Sequence, residues 1–142
     1  MIGIFLLNSV VVAMAVLLHA EILFRLTRIV PILRLGDRFK IVFAVMGVLI
    51  AHVVEVWLFA FAYYGLIKLK TFGTLSGNFD GSLMDCSYFS FTTYTTLGFG
   101  DIEPIGHIRF LVGLEALAGL VLITWSASFL YLEMRKYWLP TD

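Results

Sequence analysis

Residues 93–103 read "TYTTLGFGDIE", and this stretch decides the fold. It lies between two long apolar segments, and its two glycines, Gly98 and Gly100, alternate with Leu97 and Phe99. Glycine adopts positive φ without a steric penalty. The two glycines therefore allow a backbone in which successive carbonyl groups point the same way, whereas they alternate in an ordinary strand.

Four copies of such a strand around a common axis would form stacked rings of carbonyl oxygens, with hydroxyls from Thr96 adding an inner ring. Oxygen rings of this kind replace the water around a desolvated cation. The side chains of Leu97 and Phe99 are expected to point away from the axis and pack behind the strand. A phosphate-binding glycine loop is excluded because neither a strand–loop–helix unit nor a P-loop lysine accompanies these glycines.

The composition is that of an integral membrane protein. The chain is 61% hydrophobic and 14% charged, whereas soluble domains are about 45–50% apolar and about 25% charged. The net charge is zero, which gives no support to nucleic-acid binding. The single cysteine, Cys86, excludes an intrachain disulfide and a cysteine-based metal cluster.

Three segments are long and apolar enough to cross a bilayer, which takes about 20 residues. The fold class is therefore an all-α membrane protein, and residues 1–142 form a single membrane domain. Its expected parts are a first helix at 2–26, a cytoplasmic connection at 27–40, an outer helix at 41–68, an extracellular segment at 69–107 and an inner helix at 108–136. Pro31 and Gly36 are expected to break any helix within the connection.

The distribution of basic residues sets the expected orientation. Five lie within residues 25–40 and two, Arg135 and Lys136, lie near the C-terminus, against three on the opposite side. Basic residues favour the cytoplasmic side. We therefore expect a multi-pass cell-membrane protein with its N-terminus outside and its C-terminus in the cytoplasm.

A short helix is predicted before the glycine-containing strand. Residues 71–81, with three glycines, are expected to form an exposed loop. Ser82 and Asp85 then fit an S-x-x-D capping box. The helix that follows, from Leu83 to about Thr95, is too short to cross the bilayer, so it is expected to be re-entrant.

The sequence "TTLGFGD", Thr95 to Asp101, resembles the T-T-V-G-Y-G-D filter signature of the potassium-channel pore family. The likeness covers about 95 residues. It is greatest to small prokaryotic channels with one pore loop per chain and an extra N-terminal helix. The resemblance implies a homotetramer in which each subunit has three transmembrane helices, a re-entrant pore helix and a selectivity-filter loop.

The resemblance also implies roles for individual residues. Asp101 is expected to brace the outer mouth, and Gly119 aligns with the hinge glycine of the inner helix. The residues expected to bind K⁺ in the filter are Thr96, Leu97, Gly98, Phe99 and Gly100. The candidates for the cavity or gate are Gly119, Ile123, Thr124, Ala127 and Tyr131.

Two usual braces of the filter are missing. Phe99 replaces the common tyrosine, and Thr92 stands where some members carry a buried glutamate. Glu115 in the inner helix is expected to face the back of the pore helix and accept bonds from Thr92 or Thr95. On this hypothesis Glu115→Gln perturbs selectivity or inactivation, and the alternative is a carboxyl at the outer water interface.

Three further ionisable groups lie in the first two spans. His52 and Glu55 are three residues apart and share a helical face. Structural pairing is favoured for them, and a His–Glu metal site is the weaker alternative. His19, next to Glu21, is expected near the inner membrane interface.

The sequence thus predicts a passive potassium-selective channel without enzymatic activity or a cofactor other than permeant K⁺ ions. Its expected partners are identical subunits, the lipid bilayer and monovalent cations, with no nucleic acid. One alternative is a weakly selective Na⁺/K⁺ channel. Another is a membrane sensor subunit with a non-conducting pore.

Overall fold

The computed structural model describes residues 2–70 and 72–138. Met1, Thr71 and residues 139–142 lie outside the described residues, so the first position of the predicted 71–81 loop is not covered. The elements are α1 (Ile2–Ile32), α2 (Asp37–Leu69), β1 (Thr74–Gly77), α3 (Leu83–Tyr94), β2 (Ile102–Ile105) and α4 (Ile108–Trp138). The predicted all-α membrane fold is confirmed, because most of the described residues are helical and three helices can span a membrane.

The three long helices pack against one another, and α3 packs against α2 and α4. The segments with the length and composition of membrane spans are Phe5–Ile32, Asp37–Leu69 and Ile108–Trp138. At about 1.5 Å per residue, the 31 residues of α4 extend ~46 Å, which exceeds the roughly 30 Å hydrocarbon core. The 12 residues of α3 are too few to cross it.

The connection between the first two helices is shorter than residues 27–40. Helix α1 continues through Pro31 to Ile32, and α2 begins at Asp37 after Gly36 in extended conformation. The predicted break at Pro31 is wrong, whereas the break at Gly36 is observed. Proline lacks an N–H group, but Pro31 lies in the last turn, where its presence removes a single backbone hydrogen bond.

Residues 72–107 contain a small antiparallel ribbon that the sequence does not predict. Strand β1 pairs with β2, with Thr74 opposite Ile105 and Gly77 opposite Ile102. Gly77 has φ +97°, and a Cβ there would lie 2.3 Å from the carbonyl oxygen of Asp101. The glycines that suggest a loop thus permit close pairing of the two strands.

Helix α3 begins after Ser82, the predicted cap, but the carboxylate of Asp85 bonds to a different amide from the one that a capping box requires. The Ser82 hydroxyl accepts from the amide of Asp85 at 3.1 Å, as expected. The Asp85 carboxylate accepts from the amide of Asp80 at 2.8 Å, and the amide of Ser82 donates to Asp80. These bonds from Ser82 lower the pKa of the exposed Asp80 carboxyl.

The inner helix approaches α3 most closely at Gly119. A Cβ at this position would lie 2.1 Å from the carbonyl oxygen of Tyr94, the last residue of α3. A separation this short leaves no room for a side chain. The absence of a Cβ at Gly119 therefore sets how closely α4 packs against the end of α3.

We predict that Gly119→Ala lowers the thermal unfolding midpoint of the detergent-solubilised protein. The added methyl group must displace backbone rather than a flexible side chain, and overpacking of this kind costs about 1–3 kcal/mol. Gly113→Ala is the matched control because a Cβ there meets nothing within 4 Å. An equal effect of the two substitutions would contradict the close approach as the cause.

Candidate functional site

The segment between α3 and β2, residues 96–100, has an alternating backbone conformation. Thr96, Gly98 and Gly100 have φ values of +59°, +51° and +77°, whereas Leu97 and Phe99 have negative φ. Alternation of positive and negative φ allows successive carbonyl groups to point to the same side of the chain. We call residues 96–100 the filter segment.

Main-chain hydrogen bonds join the filter segment to the end of α3. The amide of Thr96 donates to the carbonyl of Thr93 at 2.9 Å, and the amide of Gly98 donates to the carbonyl of Thr92 at 3.0 Å. The hydroxyl of Thr95 donates to the carbonyl of Phe91 at 2.7 Å. The direction in which the segment leaves α3 is therefore set by backbone groups.

Tyr88 holds the outer end of the filter segment. Its hydroxyl donates to Asp101 Oδ2 at 2.9 Å. Its ring stacks on Phe99, with centroids 6.5 Å apart and an interplanar angle of 9°. Tyr88 is not among the site residues predicted from the sequence. Its hydroxyl, within the predicted short helix, could have indicated a hydrogen bond to Asp101.

The apolar side chains of the filter segment are poorly covered within one chain. Leu97 is 64% exposed and Phe99 is 66% exposed, despite the contact with Tyr88. Both side chains are expected to pack behind the strand. Phe99 does so in part, through its contact with Tyr88, whereas Leu97 stays exposed in a single subunit. Large exposed apolar side chains of this kind are typical of an interface.

Glu115 occupies the predicted side of α3, but its partners differ from those expected. It is fully buried and contacts the hydroxyls of Ser90 and Tyr63. Thr92 instead donates to the carbonyl of Phe89 at 2.9 Å. The interaction with the back of the short helix is present, whereas the predicted bonds from Thr92 and Thr95 are not.

A count of hydrogens indicates the protonation state of Glu115. The Ser90 hydroxyl lies near Glu115 Oε1 and also 2.8 Å from the carbonyl oxygen of Val56. One hydroxyl hydrogen serves one of these two acceptors. Both contacts are satisfied when Ser90 donates to Val56 and a protonated Glu115 carboxyl donates to Ser90, while Tyr63 donates to the other carboxyl oxygen.

The cavity and gate candidates lie on α4 but do not share one environment. Gly119 is buried against α3, so in this structure it is a packing position, and its hinge role stays a prediction. The other four are exposed on the isolated chain: Ile123, Thr124, Ala127 and Tyr131. This face is free for the bilayer, a neighbouring subunit or a water-filled passage.

The polar residues of the first two spans meet in the interior. His52 Nδ1 lies 3.1 Å from Glu55 Oε2, so the expected pairing is present. His19 is fully buried, and its Nδ1 lies 2.8 Å from Glu55 Oε1. The predicted interfacial position of His19 is therefore wrong, because α1 packs against α2 with this side facing inward. Glu21 is exposed and forms an ion pair with Arg25.

Comparison with known proteins identifies the family. A profile described as an ion channel matches residues 51–135, which is more than half of the chain. The chain belongs to this ion-channel family. It is 33% identical over 90 residues to the inward rectifier potassium channel Kirbac3.1 of Paramagnetospirillum magnetotacticum, and the match covers 63% of this chain and 30% of that relative. A comparison with solved structures gave no significant match.

The family match confirms the resemblance to a channel pore domain that the "TTLGFGD" motif indicated. Together with the three spanning helices, it identifies the channel as a membrane protein of ion transport. The matched region contains α3, the filter segment and most of α4. The roles of the individual filter and gate residues stay predictions.

We predict that Glu115→Gln is tolerated, whereas Glu115→Ala destabilises the channel. The amide of glutamine can donate to Ser90 and accept from Tyr63, as the protonated carboxyl does. Alanine leaves the buried Tyr63 hydroxyl without its acceptor, at about 1–3 kcal/mol, and it also removes the contact with Ser90. Thermal unfolding in detergent measures the difference, and Glu103→Ala, at an exposed position, is the control. If glutamine is as harmful as alanine, the buried carboxyl carries a charge.

Proposed function

We propose that the channel is a passive, potassium-selective pore in which the filter segment supplies the ion-binding oxygens. The observation that carries the proposal is the alternation of positive φ at Thr96, Gly98 and Gly100 with negative φ between them. A K⁺ ion loses its water when carbonyl oxygens surround it at the filter. The carbonyls of residues 96–100, with the Thr96 hydroxyl, are the proposed ligands.

The electrostatics of the segment favour a cation. The C-terminal end of α3, which is the negative pole of its dipole, immediately precedes the filter segment. Asp101 is exposed at the other end and is held by Tyr88. An acidic group at the mouth raises the local concentration of cations. Both features oppose an anion in the same position.

The functional unit proposed is a homotetramer with cyclic symmetry. One filter segment offers oxygens from one direction, so a closed ring around an ion needs several copies. The exposure of Leu97 and Phe99 in a single subunit supports a further protein surface against this segment. Identical subunits, the bilayer and monovalent cations are therefore the proposed partners.

The orientation follows from the basic residues. Residues 25–40, around the junction of α1 and α2, together with the end of α4, carry seven of the ten Lys and Arg residues. We place these parts in the cytoplasm, and the ribbon with the outer end of the filter segment outside. The N-terminus is then extracellular and the C-terminus cytoplasmic.

The named relative supports the choice of ion. That relative is an inward rectifier potassium channel, and it shares 33% identity with the matched region of this channel. The sequence differs from the common filter signature at Leu97 and Phe99, and Thr92 replaces the glutamate found in some pore helices. Potassium over sodium is therefore the part of the proposal that needs direct measurement.

Reconstituted channels are predicted to give a reversal potential close to the potassium equilibrium potential in a K⁺/Na⁺ gradient. Potassium-driven flux in liposomes should accompany it, with an impermeant organic cation as the control. A reversal potential near zero would establish a weakly selective cation channel instead. Assembled protein that gives no flux would support a non-conducting sensor subunit and contradict the proposal.

Gly98→Ala is predicted to abolish or strongly reduce potassium flux while the subunits still assemble. A left-handed conformation costs a residue with a Cβ about 1–2 kcal/mol, so the carbonyl beside it is expected to turn. Gly65→Ala is the control, because it adds the same methyl group in α2, in open space, at a glycine without positive φ. Unchanged flux in the Gly98 variant would argue against carbonyl coordination by this segment.

A further inference from the structure

All four helices contribute to a polar cluster in the protein interior, beside the end of α3. His19 comes from α1, His52 and Glu55 from α2, Tyr94 from α3 and Ser126 from α4. His19 and Glu55 are fully buried, and the His52 side chain is 16% exposed. Ionisable groups at this depth of a membrane protein are costly, and function is their default explanation.

The cluster contains six close polar contacts. Glu55 is contacted by His19 Nδ1 at 2.8 Å, by His52 Nδ1 at 3.1 Å and by the hydroxyl of Tyr94. The Tyr94 hydroxyl also lies 2.9 Å from His52 Nδ1. The hydroxyl of Ser126 lies 3.2 Å from His19 Nε2 and 3.1 Å from His52 Nε2.

Hydrogens on these side chains are too few for six contacts. With neutral imidazoles and an ionised Glu55, the two histidines, Tyr94 and Ser126 carry one hydrogen each. If both Nδ1 atoms donate toward Glu55, both Nε2 atoms are acceptors, and the single Ser126 hydrogen satisfies one of them. One additional proton, shared by the two rings, still leaves His52 Nδ1 with two acceptors and one hydrogen.

A metal cation in place of the Nδ1 hydrogens satisfies five of the six contacts without an added proton, and it leaves the contact between His52 Nδ1 and the Tyr94 hydroxyl without a hydrogen. We propose that His19 Nδ1, His52 Nδ1 and a carboxylate oxygen of Glu55 form a binding site for a divalent transition metal of the Zn²⁺ class. These ligand atoms lie within 4.8 Å of one another. Tetrahedral ligands at 2.0–2.1 Å from Zn²⁺ are about 3.3 Å apart. The distances of 2.8 Å from His19 Nδ1 to Glu55 Oε1 and of 3.1 Å from His52 Nδ1 to Glu55 Oε2 are shorter than this by tenths of an ångström, so the side chains must separate slightly to bind the ion.

Ser126 and Tyr94 have the positions of supporting groups. With Nδ1 bound to metal, both Nε2 atoms carry hydrogen and donate to the Ser126 oxygen, which has two lone pairs. A shared acceptor of this kind fixes the ring orientation of metal-binding histidines. Tyr94 donates to Glu55 and lies beside the open fourth position. Imidazole with carboxylate suits Zn²⁺, Co²⁺ and Ni²⁺ better than Mg²⁺ or Ca²⁺, which prefer oxygen.

The site is tested on the full-length channel in detergent, loaded with Zn²⁺ and then washed by gel filtration. Metal analysis is expected to give one Zn²⁺ per chain, and an excess of Mg²⁺ should not displace it. Replacement by Co²⁺ is expected to give the intense visible absorption of a four-coordinate ion. Bound Zn²⁺ should also raise the thermal unfolding midpoint, because it stabilises the folded state that holds the ligands.

Variants assign the ligands. His19→Gln and His52→Gln are each expected to remove the bound Zn²⁺ and the Co²⁺ spectrum. Ser126→Ala is expected to weaken Zn²⁺ binding by about 10–100-fold without abolishing it. His107→Gln is the matched control, since the chain has three histidines and His107 is exposed before α4. It should leave stoichiometry, spectrum and midpoint unchanged.

Two results overturn the proposal. A folded wild-type channel that retains no Zn²⁺ and shows no Zn²⁺-dependent midpoint would make the cluster a hydrogen-bonded network alone. Loss of binding in His107→Gln, with retention in His19→Gln, would place the metal at the surface. Because these measurements use no ion flux, their failure is distinguishable from failure of the conduction proposal.

Discussion

The position of α3 depends on two buried carboxyl groups, one from α2 and one from α4. Ser90 contacts Glu115 of α4, and Tyr94, one helical turn further on, donates to Glu55 of α2. Residues four apart lie on one face of a helix, so both contacts hold the same face of α3. In an environment without water, a hydroxyl needs a protein acceptor. Glu55 accepts from Tyr94, whereas Ser90 donates to the carbonyl oxygen of Val56 and also contacts Glu115. Together these bonds fix where the filter segment begins.

This arrangement explains how the filter segment keeps a costly backbone. Thr96 has a Cβ and still adopts φ +59°, which is unfavourable for a side-chain-bearing residue. The conformation is maintained by the amide bonds of Thr96 and Gly98 to the end of α3. Those bonds have a fixed direction because α3 is held by Glu55 and Glu115, and because Gly119 permits α4 to pack directly against Tyr94.

Much of this fold could be predicted from local sequence signals. Apolar runs of sufficient length gave the three spanning helices, and Ser82 marked the start of α3. The glycines at 98 and 100 indicated the left-handed positions, because the residue type itself determines that preference. The sequence predicts Glu115 on the correct side of α3, because Thr92 leaves the short helix without the acid that usually braces it.

The errors concern contacts between distant parts of the chain. His19 was placed at the membrane interface because the sequence does not state which face of α1 packs inward. Tyr88 was missed because its contact with Asp101 depends on the path of the filter segment. Pro31 was given too much weight, since a proline near a helix end removes one hydrogen bond only. The ribbon is not predicted because a glycine such as Gly77 indicates a turn, and the sequence does not show that it pairs with Ile102.

Helix α1 contacts the rest of the channel through Glu55, one of the two carboxyl groups that hold α3. The family match begins at residue 51 and therefore excludes α1. Yet His19 of α1 contacts Glu55 and Ser126, both within the matched region. Glu55 is also the acceptor for Tyr94, two residues before the filter segment. Glu55 thus contacts both His19 of α1 and Tyr94 of α3. A displacement of α1 at His19 changes the surroundings of this carboxylate, and through it the hydrogen bond that holds Tyr94 next to the filter segment.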